Sequence, residues 1–173
     1  MAEINRQNGE KDVDVPESDG SLRIAQIMSG SSTAFIGMLL VYLLLTMPHF
    51  IWDADDKVFR WSYIGMACLV GSFLFPKWVA TFYLQNVLSP RNIVHSTSET
   101  SKQIADVFRL KNKVAHAFLD ATAIFSMFLA SGKGSGIQIA FIVVSLGLSI
   151  WIFPTRPSQE NWVRRQLAKA GIE

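Results

Sequence analysis

Long uncharged apolar blocks alternate with polar stretches along this chain. The block from Thr33 to Trp52, TAFIGMLLVYLLLTMPHFIW, holds no Lys, Arg, Asp or Glu over 20 residues, about the length an α-helix needs to cross a bilayer. Residues 61–75 and 137–153 are shorter and equally free of formal charge. Residues 114–131 form a fourth block, interrupted by His116 and Asp120. The pattern predicts an all-α integral membrane protein with four transmembrane helices as two hairpins, and interfacial helices on the cytoplasmic side.

The stretches between the blocks carry their own signals. Residues 1–20 are acidic and poor in apolar side chains, a composition that predicts a disordered tail. Residues 21–32 place Leu22, Ile24, Ile27 and Met28 at helical spacing, which predicts an interfacial helix, broken by Gly30 and its neighbouring serines before the first span. Two Phe-Pro pairs, Phe75-Pro76 and Phe153-Pro154, fall at the ends of the second and fourth blocks. Proline removes a backbone donor and disfavours a helical residue before it, so each pair is expected to end or kink its span. Residues 77–113 then make a cytoplasmic loop and helix, with Ser98 or Ser101 as a cap for that helix. Residues 154–173 form a basic amphipathic tail in which Ser158 is the expected N-cap and Gly171 the C-terminal stop. There Trp162, Val163 and Leu167 oppose Arg164, Arg165 and Lys169, an arrangement expected to touch lipid headgroups through Trp162, Arg164, Arg165 and Lys169. The two halves share a layout, yet two matching dipeptides do not establish a duplication.

One helix carries an unusual polar pattern. Lys102, Asp106, Arg109, Lys113, His116 and Asp120 are spaced alternately by four and three residues, which puts all six on one helical face. No Gly or Pro interrupts residues 101–131, so a single long helix running from the cytoplasm into the bilayer is expected. Asp120 would lie about 9 Å past Val114 at about 1.5 Å per residue. Further along, the same face offers only Ala123 and Met127, and the polar path stops short of crossing.

Charge settles the expected orientation. Of the 16 Lys and Arg, 13 lie in the N-terminal tail, the middle segment and the C-terminal tail. Basic residues stay on the cytoplasmic side, so both termini and the middle segment face the cytoplasm. The expected location is the plasma membrane, or the inner membrane in a bacterium. No basic-then-apolar cleavable leader is visible at the start, so the first span is read as an uncleaved insertion signal. Topology accounts for the basic residues, and no nucleic-acid partner is expected. Cys68 is the only cysteine, which excludes an internal disulfide and a cysteine metal cluster.

Candidate chemistry is sparse. No HExxH, GxSxG, Walker-type or dinucleotide motif occurs, and GKGSG at residues 132–136 has the wrong spacing for a phosphate loop. No cofactor and no metal site are expected, a lipid-modifying enzyme lacks a catalytic set, and the reading leans away from enzymes. Two functions remain. In the first, the chain is an accessory, assembly or scaffold subunit whose partners are membrane lipids and other membrane subunits or copies of itself. Lys113, Ala123, Ser145, Gly147 and Ser149 would supply its packing or partner face, because small residues let helices approach closely. In the second, Asp120 and His116 form a cytoplasm-facing ion or proton site of a small transporter or channel component, since ionisable residues inside spans often mark such pathways.

Overall fold

A computed structural model describes residues 19–46, 56–89, 97–133 and 136–171, without the side chains at 19, 21, 56–61, 97, 98 and 131–133. The acidic tail up to residue 18, the loop holding His49 and Asp55, the middle loop with His95, and residues 134 and 135 of GKGSG lie outside these residues. Among the described residues there are five helices and no strand: α1 (Asp19–Thr46), α2 (Asp56–Val87), α3 (Thr97–Lys133), α4 (Gly136–Trp151) and α5 (Arg156–Lys169). Leu22–Thr46, Ser62–Val87 and Glu99–Ala130 are each long and apolar enough to cross a membrane. The pair α4 and α5 meets the same test only together, bent by 72°. Among the described residues there are therefore three helices fit to cross a membrane, or four if the bent pair makes one crossing.

The expected break before the first span is absent, because α1 runs through Ser29, Gly30, Ser31 and Ser32 without interruption. Helical glycine costs about 1 kcal/mol relative to alanine, and burial outweighs that cost here. Leu22 and Ala25 are 5% and 3% exposed, and Ser29 and Ser32 are buried. A Cβ at Gly30 would stand 4.0 Å from the Phe153 ring, so the Phe-Pro corner packs against this part of α1. Residues 21–32 are the first turns of a bundle helix, not a separate interfacial one.

The two Phe-Pro pairs behave differently from one another. Pro76 lies inside α2, which continues to Val87. The ring deprives the Ser72 carbonyl of its usual helical donor, yet Pro76 is almost fully buried and α2 stays on α3, its most extensive partner. That packing carries the helix past the proline, and the aromatic segment with Trp78, Phe82 and Tyr83 is an extension of α2. Phe153-Pro154 ends α4 as expected. The Pro154 carbonyl accepts from Gln26 Nε2 of α1 at 3.2 Å, which pins the corner in place. Thr155, not Ser158, is the N-cap of α5: its side chain accepts from the Ser158 backbone N–H at 3.4 Å. The nearer hydroxyl wins because Pro157 occupies the first turn, where its missing N–H costs nothing. Gly171, at φ 68°, closes the C-terminal end, a conformation that glycine adopts without strain.

Helix α3 contacts all four others and is the centre of the bundle. It begins at Thr97, so Ser101 is an interior position with a buried hydroxyl rather than a cap. Ile36, Leu43, Leu119, Ala123, Ala130 and Ile142 make the main core where α1, α3 and α4 meet. A second cluster joins Ile104 and Ala105 of α3 to Val163 and Leu167 of α5, with Leu84, Val87 and Leu88 alongside. The apolar side of α5 is thus spent on the protein itself. Trp162 packs against Phe108 at 5.5 Å between ring centroids and is half-buried rather than a free headgroup anchor.

Candidate functional site

The polar stripe on α3 divides along its length. At about 100° per residue the six side chains fan across roughly 80° of helix surface, enough to straddle the edge of the interface. Arg109 and His116 fall on the inner side and are buried. Lys102, Asp106 and Lys113 fall on the outer side and are exposed, while Asp120 is half-buried. Within the stripe, Arg109 Nη1 and Asp106 Oδ1 pair at 2.6 Å.

Asp120 is engaged from another helix. Ser32 Oγ donates to Asp120 Oδ1 at 2.6 Å. The next residue on α1, Thr33, points about 100° away and meets Ser149 of α4 at 2.7 Å between hydroxyl oxygens. Thr33 donates its single proton to the Ser29 carbonyl at 2.9 Å, so Ser149 donates to Thr33. Two adjacent residues of α1 therefore tie it to α3 and α4 at one level. One turn further along each helix, Ile36 and Ala123 are fully buried, and Leu119 is fully buried beside Asp120.

His116 lies one turn before Asp120. Its Nδ1 is 2.9 Å from the Asn112 carbonyl, and because a carbonyl only accepts, Nδ1 carries the proton. Nε2 is buried and has no hydrogen-bond partner among the described residues, and the same holds for Asn112 Nδ2 and Arg109 Nε. Buried polar atoms of this kind are rare and call for a ligand, water or ion. Asn112 lines a pocket of about 280 Å³ among α2, α3 and the α4–α5 corner, whose other walls include Phe73, Lys77, Phe108, Lys111, Trp151 and Ser158. Lys111 Nζ stands 6.0 Å from the centroids of both Phe108 and Trp162, at the outer limit of cation–π contact.

The remaining predicted positions separate in the same way. Ala123, Ser145 and Ser149 are fully buried inside the bundle, so their small size serves packing within the chain. Gly147 and Lys113 are exposed and contribute nothing to that packing. Arg164, Arg165 and Lys169 are exposed on the outer side of α5. At the far end of the bundle, Gln138 Nε2 donates to Ser62 Oγ at 2.7 Å, and Gln138 is wholly buried. Sequence reasoning passed over Gln138, Ser32 and Asn112. A glutamine inside an otherwise apolar block is itself a signal, because polar groups there must find partners; Ser32 and Asn112 have no such mark in the sequence. Among the described residues, no three His, Cys, Asp or Glu side chains converge on a metal-sized site.

No protein-family model matches this chain, and neither the curated proteins nor the solved structures contain a significant match to it.

Proposed function

We propose that this chain is a four-span membrane protein, with both termini in the cytoplasm, that serves as an accessory, assembly or scaffold subunit of a plasma-membrane complex (the inner membrane in a bacterium). The reading of a fourth crossing rests on connectivity. Helix α3 leads away from α5, α4 starts at its far end, and α5 docks on Ile104 and Ala105 near the start of α3. A return of α4 along α3 toward α5 supports a fourth crossing.

The observation that carries the subunit reading is the bond from Ser32 to Asp120. The one carboxylate within the apolar part of α3 is used to fasten α1, and the fully buried Ile36 and Ala123 lie beyond it. Outward, α1 and α2 present Met38, Leu45, Tyr63, Met66 and Leu74, surfaces that suit lipid or the spans of partner subunits. Gentle purification of the full chain in mild detergent tests the reading. It expects membrane proteins to co-purify at fixed stoichiometry, and a solitary monomer that retains activity would sink it.

A second reading, an ion or proton site at Asp120 and His116, draws support from the unpartnered His116 Nε2 one turn away. Asp120→Asn keeps an acceptor for Ser32 and removes the charge. Transport predicts a folded, assembled variant without flux, whereas the subunit reading predicts normal behaviour.

A further inference from the structure

We propose that the pocket among α2, α3 and the α4–α5 corner binds the phosphate of an anionic glycerophospholipid, with Lys77, Lys111 and Asn112 as its ligands. The site is distinct from the exposed basic side of α5 and rests on the membrane placement proposed above, not on the subunit reading.

Three observations converge. First, Lys77 and Lys111 line the same pocket, and among the described residues neither has a carboxylate partner. Two ammonium groups sharing a partly apolar cleft repel one another, and an anion there relieves the repulsion. Second, the Asn112 amide is 6% exposed and lines the pocket, and its Nδ2 has no acceptor. A phosphate oxygen supplies that acceptor, and Ser158, which also lines the pocket, offers a further hydroxyl donor. Several converging donors suit an oxyanion with several acceptor oxygens. Third, the other walls are apolar and open outward. Phe73 and Trp151 are 41% and 75% exposed, next to the exposed Phe75 and Trp78 of α2. A ligand that is anionic at one end and hydrocarbon at the other fits both halves, and tryptophans at this level mark the depth of lipid headgroups.

The test uses the full chain in neutral detergent and native mass spectrometry, with phosphatidylglycerol, phosphatidylcholine and inorganic phosphate as separate arms. Phosphatidylglycerol should be retained in preference to phosphatidylcholine. At roughly fivefold per lysine, Lys77→Gln with Lys111→Gln should weaken retention about 25-fold, while Arg23→Gln with Lys102→Gln, two exposed cations outside the pocket, should leave it unchanged. Equal retention of both lipids, or equal loss in the two double variants, overturns the proposal. Binding of inorganic phosphate without retention of phosphatidylglycerol overturns the lipid assignment and gives the site to a free phosphate compound. Should the lysine variant fail to fold, amine labelling of the unmodified chain decides instead. Phosphatidylglycerol must then protect Lys111 but not Lys113, and equal labelling of Lys111 with and without lipid overturns the assignment. A chain that purifies without detergent refutes the membrane placement before the lipid is tested.

Discussion

Ser32 of α1 and Asp120 of α3 share a hydrogen bond of 2.6 Å although 88 residues separate them. The neighbouring Thr33 bonds Ser149 of α4, so one turn of α1 clamps two helices. Polar links of this kind between helices in lipid are worth about 0.6 kcal/mol on average and about 1.7 at most.

Removing either prong should loosen α1 without undoing the bundle. Ser32→Ala and Thr33→Val are each expected to lower stability by about 0.5–1.5 kcal/mol, read as the midpoint of unfolding in detergent. Asp120→Asn should cost less, since its amide oxygen still accepts from Ser32. A larger loss in Asp120→Asn than in Ser32→Ala would mean that the charge, not the hydrogen bond, holds α1.

Much of the bundle was legible in the sequence. Apolar block length pointed to helices apolar enough to cross a membrane, and an unbroken helix over residues 101–131, within the observed Thr97–Lys133, followed from the four-three spacing of the stripe and the lack of interior Gly or Pro. What stayed hidden depends on contacts between distant segments. The Phe-Pro pairs alone do not distinguish Pro76 from Pro154; packing on α3 carries α2 on, while Thr155 and Pro157 start a new helix after Pro154. The pattern of α5 pointed to lipid, yet Val163 and Leu167 pack on Ile104 and Ala105 of the protein itself. Of the site, Asp120 and His116 stood out because ionisable groups are costly in apolar runs. Ser32 and Asn112 did not, because their importance comes only from what they face.

Close approach of α2 and α3 gives a second prediction. A Cβ at Gly71 would sit 2.9 Å from Phe118 Cε1 and 3.0 Å from Cδ1. Gly71→Ala must push the ring aside and should cost about 1–3 kcal/mol. Phe118→Leu empties the same space and costs stability by itself. The double variant should be more stable than the sum of the two losses predicts, and strict additivity would show that the helices do not meet there.

The buried pair at the far end behaves as a unit. Ser62→Ala leaves the wholly buried Gln138 amide without its acceptor, a loss of about 1–3 kcal/mol. Replacing both groups, Ser62→Ala with Gln138→Leu, removes the unmet polar group and should recover most of that stability. Failure of Gln138→Leu to rescue Ser62→Ala would place the cost elsewhere in the Ser62 environment.

Docking of α5 rests on few side chains. Val163 and Leu167 are 2% and 3% exposed against Ile104 and Ala105. Leu167→Ala should cost about 2–5 kcal/mol locally, and Leu167→Asp should release the helix by burying a charge. Hydrogen exchange is the suitable readout, because a local release speeds exchange in residues 156–169 while the α3 core stays protected. Unchanged protection of α5 in Leu167→Asp would mean that its apolar side is not held by α3.

Labelling can separate three crossings from four. In a Cys68→Ala background, Asp55→Cys lies between α1 and the main part of α2, and Arg165→Cys lies on the exposed side of α5. If α4 crosses the membrane, the two positions are on opposite sides. An impermeant maleimide should then label Asp55→Cys in intact cells and Arg165→Cys only after lysis, as the basic character of the α5 side requires. If α4 with α5 instead enters and leaves by one face, both positions share a side. Helix α4 is 16 residues long, about 24 Å at 1.5 Å per residue, and somewhat short of a hydrocarbon core of about 30 Å. Ile152 and Phe153 lengthen the apolar path beyond its last turn, and Pro154 turns the chain where that path ends. Labelling of both positions from outside would refute the fourth crossing and, with it, the placement of α5 and the lysine-lined pocket on the cytoplasmic face.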